Sequence, residues 1–150
     1  MNPDFRDLLS AFSAARVEYL LVGAYAMAVH GLPRATGDMD VWVRRTPDNA
    51  KRVLEALAAF GAPVGALSPS DFEAEDAVFQ IGVAPCRIDV LTAIDGVEFA
   101  AAWEARVRTI LEGLEVPVIA PAQLLLNKRA LGRPKDMGDV AFLDDLLKGE

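Results

Sequence analysis

The chain has 150 residues, of which 53% are hydrophobic and 25% charged. That length fits one domain, and that composition excludes a disordered or fibrous chain. It carries 15 Lys and Arg against 22 Asp and Glu, a net charge of −7, so non-specific coating of DNA is not expected, because phosphate repulsion would dominate it.

The opening MNPDFRDLLSAF is mixed and acidic, unlike the basic-then-apolar pattern of a secretory leader. No apolar run approaches the length of a spanning helix. The expectation is a cytoplasmic protein without a membrane partner. Residues 3–16 predict a helix, with Phe5, Leu8, Leu9 and Phe12 on one face. Residues 17–22, VEYLLV, predict a strand that ends at Gly23. AYAMAVHG predicts a two-turn helix stopped by Gly31, and MDVWV at 39–43 a strand. A helix over 47–60 follows, opened by Pro47. Residues 61–71, rich in Gly, Pro and Ser, predict a loop.

Residues 77–83 and 86–92 predict two strands joined at Ala84-Pro85, close enough for an antiparallel pair. Cys86, the single cysteine, can form no internal disulfide and fits no zinc pattern; it is expected to be buried and inert. A short helix near 98–104, a strand near 114–119, a helix from Pro121 to about 131 and a last helix over 136–147 complete the series. The expected class is α/β (α+β), a small mixed sheet with helices packed on it, in one domain over 1–150.

Two acids, Asp38 and Asp40, stand two apart at the start of the strand GDMDVWV. Alternation turns both carboxylates to one side and Met39 and Val41 to the other. Like charges held side by side need compensation, commonly by a divalent cation. Taken alone, the pair is more often a solvated strand edge. Asp89, flanked by Ile88 and Val90 in CRIDVLT, faces away from the core. If its strand lies beside the first, three carboxylates meet on one rim and could hold two magnesium ions. The strand running into Gly23 and a small-residue helix could admit a phosphate, or could be a tight turn chosen for packing.

Taken together, these residues resemble the nucleotidyltransferase superfamily, the polymerase-beta-like fold. The matching pieces are Val22-Gly23-Ala24, then thirteen residues from Tyr25 to Gly37, then Asp38-Met39-Asp40, and Asp89 on a later strand. His30-Gly31, the run Arg34-Ala35-Thr36-Gly37-Asp38-Met39-Asp40, Lys128 and the run Arg133 to Asp139 look most like the small bacterial branch that includes AbiEii-type toxins. The likeness covers about residues 17–143. Ala24 departs from it, standing where the family has Gly or Ser.

The resemblance implies a transferase that moves an NMP group from an NTP such as ATP to a hydroxyl of a protein, a tRNA or a small molecule. It implies Asp38, Asp40 and Asp89 as catalytic residues and ligands of two Mg2+ ions. Asp89 could also take the hydroxyl proton. The implied nucleotide-binding residues are Gly23, Ala24, Arg34, Thr36, Lys128 and Arg133. Lys128 could instead be a solvated helix lysine, and Arg133 could merely offset a helix dipole. Arg34 could pair with Asp38. Asp136 reads as the N-cap of the last helix. His30 reads as a packed residue, and Trp42 as a cleft border or a core residue. The competing expectation is a catalytically silent nucleotidyltransferase-like module, one component of a toxin–antitoxin pair.

Overall fold

The computed structural model describes residues 1–33, 37–83 and 86–149. Helix α1 (Pro3–Ala14) begins where the Asn2 side chain accepts the N–H of Asp4 at 2.8 Å. Its buried face is Phe5, Leu8, Leu9 and Phe12, as the spacing predicts. Strand β1 (Tyr19–Val22) follows, buried along its whole length. Helix α2 (Gly23–Val29) leads to β2 (Met39–Val43), and α3 (Pro47–Phe60) starts at Thr46, whose hydroxyl accepts from the N–H of Asn49.

A 3-10 turn at Pro69–Phe72 interrupts the expected loop before β3 (Val78–Ile81) and β4 (Ile88–Leu91). The predicted joint at Ala84-Pro85 lies outside the described residues. After β4 come α4 (Phe99–Glu104), β5 (Val107–Leu111), β6 (Leu114–Val118), α5 (Pro121–Leu131) and α6 (Met137–Lys148).

The six strands form one mixed sheet in the order β3-β4-β2-β1-β6-β5. Strand β2 pairs antiparallel with β1 and parallel with β4, and β1 pairs parallel with β6. Helix α1 packs on α3, α5 on α6, and α2 against β1 and β2. The central strands are buried because helices cover what water would otherwise reach. One polar side chain is built into this core. Asn49 is fully buried; its Oδ1 accepts from the Glu18 N–H at 2.7 Å, and its Nδ2 donates to the carbonyls of Glu18 and Arg44. It ties the start of β1 to the end of β2.

Three expectations need correction. Strand β5 forms a hairpin with β6 that the sequence reading missed. Its two-residue turn, Glu112-Gly113, has φ of 47° and 83°. Two positive φ values match a type I′ turn, usually announced by Asn-Gly or Asp-Gly, so Glu-Gly hid it. Cys86 is exposed rather than buried, because it lies in the connection before β4 and not in a strand. Asp136 does occupy the residue before α6, but its carboxylate makes no capping bond there; the buried Lys128 and the more exposed Arg133 hold it instead.

Candidate active site

The parallel pairing of β2 with β4 makes Asp40 and Asp89 direct register partners. On the other side of β2, Asp40 is the register partner of Val22, the residue before Gly23. Adjacent strands stand about 4.8 Å apart. Val22, Asp40 and Asp89 therefore form a row across β1, β2 and β4, with Gly23 just past the end of β1 beside Asp40. Asp38 stands just before β2, where its Oδ1 accepts the backbone N–H of Arg87 at 3.0 Å. All three predicted acids converge.

Gly23 must be glycine. Its φ is +66°, and a Cβ there would overlap Oδ2 of Asp40. The backbone at this turn can thus lie directly against the carboxylate.

These residues line one cleft of about 480 Å³. Val22, Gly23, Ala24, Asp38, Asp40 and Asp89 lie on its acidic side, while Lys128, Arg133 and Lys135, from α5 and the segment after it, supply most of its positive charge, with Asn127 beside them. Asn127 also donates from Nδ2 to the carbonyl of Asp95 at 2.9 Å, tying α5 to the loop after β4. Arg34 and Thr36, expected beside the nucleotide, lie outside the described residues.

Electrostatics follow from this crowding. Burial, reinforced by Asp89 and Asp38, raises the Asp40 carboxyl from 3.8 to about 6. Asp89 is 8% exposed and is paired with Arg87. The guanidinium Nε donates to Asp89 Oδ1 at 2.9 Å and Nη2 to Oδ2 at 3.3 Å, and Nη2 lies 3.4 Å from Asp38 Oδ2. The hydrogen bond to Asp89, with the surrounding acids, raises the pKa of Arg87. Sequence reasoning passed over Arg87. Its signal was an arginine two residues before an acid in CRID, where an extended chain brings the pair to one side.

The basic wall is not a row of solvated side chains. Lys128 is 7% exposed, and its Nζ lies 3.4 Å from Asp136 and 3.1 Å from Asp139, both buried. Arg133 closes on Asp136 with Nε at 2.6 Å and Nη2 at 3.0 Å. The hydrogen bond from Arg133 holds the Asp136 carboxyl below its usual range, with Lys128 adding to the effect. The expected phosphate-binding cations thus belong to an ion cluster that joins α5 to α6. His30 is half-buried at the C-terminal end of α2, where its Nε2–H donates to the Ile119 carbonyl at 2.7 Å. That is a packing role. Trp42 is buried edge-on to Phe99 and borders a neighbouring cavity rather than the acid cleft.

Three carboxylates are the hard oxygen donors that suit magnesium, and a cation would relieve the repulsion that raises Asp40. In kind the residues fit such an ion. Among the described residues, no group of three acid, histidine or cysteine side chains is already drawn together as a metal cage, and Arg87 bonds two of the acids.

No protein-family model matches the chain, and no curated protein matches its sequence. Among solved structures, it is similar to a provisionally assigned nucleotidyltransferase from Thermotoga maritima, with a TM-score of 0.60 and 13% identity. The match spans 100% of this chain and 96% of that one. The fold is nucleotidyltransferase-like. No described helix is long and apolar enough to cross a membrane.

Proposed function

We propose that the chain is a magnesium-dependent nucleotidyltransferase, moving an NMP group from a nucleoside triphosphate to a hydroxyl acceptor. One observation carries this reading: Asp40 and Asp89 share one rung of β2 and β4, Gly23 just past the end of β1 lies against Asp40, and Asp38 and a set of cations line the same cleft. The His30-Gly31 pair and the run from Arg34 to Asp40 favour the small bacterial branch that resembles AbiEii-type toxins.

On this reading, two magnesium ions held by Asp38, Asp40 and Asp89 would neutralise phosphate charge and lower the pKa of the acceptor hydroxyl. The backbone at Gly23 and Ala24, which lacks the hydroxyl a serine would add, binds the phosphates. Lys128 and Arg133 are balanced by Asp136 and Asp139, so Lys135 leaves that side of the cleft weakly positive, which favours a polyanion over a neutral ligand. The acceptor oxygen attacks the α-phosphorus, the bond to the bridging oxygen breaks, and pyrophosphate leaves. Asp89 takes the hydroxyl proton on a carboxylate oxygen. Most of the rate comes from alignment and charge compensation.

The test is transfer of label from an α-labelled triphosphate to an acceptor in a cell lysate containing magnesium. Asp38→Ala and Asp40→Ala should each abolish labelling. Undiminished labelling by both variants would refute the assignment of the acids.

Arg87 favours a second reading. A guanidinium already bonded to Asp38 and Asp89, together with Ala24 at the turn, suits a silent binding module, such as one half of a toxin–antitoxin pair. Calorimetry with magnesium and each triphosphate separates the two. Micromolar binding supports the enzyme, and no heat with any nucleotide supports the module.

A further inference from the structure

Arg87 is the cation of the cleft that bonds the acid row itself. Its fork engages both oxygens of Asp89, at 2.9 and 3.3 Å, and reaches Oδ2 of Asp38 at 3.4 Å. Its backbone N–H holds the remaining oxygen of Asp38. Two carboxylates from different segments, one just before β2 and one within β4, are thus bridged by one side chain. Nearness along the chain explains the contact with Asp89 but not the span to Asp38, which lies 49 residues away.

A divalent cation and a guanidinium can each satisfy carboxylates, but they cannot share the same oxygens at bonding distance. Those Arg87 holds are the ones a metal on this row would need. Arginine does not lose its proton in a protein, so it cannot yield by becoming neutral. It can yield only by moving. Its side chain is 33% exposed, so it can swing into the open cleft without crossing packed core.

We infer that Arg87 is the resident counter-cation of the carboxylate row, and that a divalent metal enters by displacing it. This rests on the reading above that Asp38, Asp40 and Asp89 hold metal. Arg87 keeps the row from flying apart when no metal is bound, and it lowers apparent metal affinity by the fraction of molecules in which it still holds the acids. The row is thereby selective. A monovalent ion gains too little from the site to expel a guanidinium held by two carboxylates, whereas a divalent ion supplies the charge that three acids demand.

Titration of the full-length protein with manganese chloride alone, followed by calorimetry, tests this without any substrate. Arg87→Met should bind manganese at least tenfold more tightly than the natural chain, with Arg87→Lys between the two. Asp40→Asn should weaken binding at least tenfold, which places the ion on the row. In parallel, the Arg87 Nε–H resonance, assigned by its absence in Arg87→Met or Arg87→Lys, should move along the same binding curve. If Arg87→Met fails to fold, Arg87→Lys and the resonance carry the test. Metal binding with an unchanged affinity in the Arg87 variants, or with an unmoved resonance, overturns the displacement and leaves the metal reading standing. No binding by any form at millimolar metal overturns both.

Discussion

Asp40 and Asp89 are register partners on parallel strands, so two carboxylates share one rung of the sheet. The folded protein bears the cost. Asp40, raised to about 6 from 3.8, binds a proton in the folded chain over a pH range where the unfolded chain has released it. Stability from this group is therefore complete below pH 4 and is lost as pH rises toward 6.

The Asp40→Asn variant should reveal that loss. In urea denaturation with EDTA present, it should exceed the natural chain in stability at pH 7 by about 1–3 kcal/mol, given about 1.4 kcal/mol per pKa unit. The gap should close by pH 4, where both side chains are neutral. A gap independent of pH would show that Asp40 is not raised.

Gly23→Ala forces a Cβ onto Asp40 and a side chain into a left-handed backbone position. A loss of about 1–3 kcal/mol is expected. The steric part belongs to the pair, so the same substitution in an Asp40→Ala background should cost less. Equal losses in both backgrounds would mean that the turn and the acid do not touch.

Lys128→Met leaves Asp136 and Asp139 buried without their shared ammonium. Breaking such a buried group typically costs about 3–5 kcal/mol. Adding Asp139→Asn should recover part of that loss, since one buried charge is then removed with its partner. Denaturant midpoints of the single and double variants decide this, and simple additivity would argue against a shared cluster.

Glu112→Asn should stabilise the protein. Glu112 sits at φ 47°, a region that asparagine enters more readily than glutamate. A gain of about 0.5–1 kcal/mol in urea denaturation is expected. A loss would show that the Glu112 side chain, 3.5 Å from the terminal amine of Met1, contributes more than the turn does.

Much of the scaffold could be read from punctuation. Pro47 and Gly61 bound α3, and Pro121 and Gly132 bound α5, because proline presets a first turn and glycine admits the backbone that ends a helix. Alternation placed Asp38 and Asp40 on one side, and their meeting with Asp89 required only that two strands be neighbours. The partners of charged groups were harder to see. The pairing of Lys128 with Asp136 depends on the corner at Gly132 that folds α6 back onto α5, and local sequence does not report that corner's direction. Arg87 was hidden for another reason. It sits in the connection just before β4, and only the pairing of β2 with β4 brings it onto Asp38.

The two sides of the cleft come from separate stretches of chain. Every acid of the row is laid down by residue 89, whereas Lys128, Arg133 and Lys135 arrive only with the last two helices. A shortened chain ending after β6 would keep every carboxylate of the row and forfeit the cations that face it. Exchange of that closing helical pair between relatives would therefore retune the charge that faces the acids without altering the acids themselves.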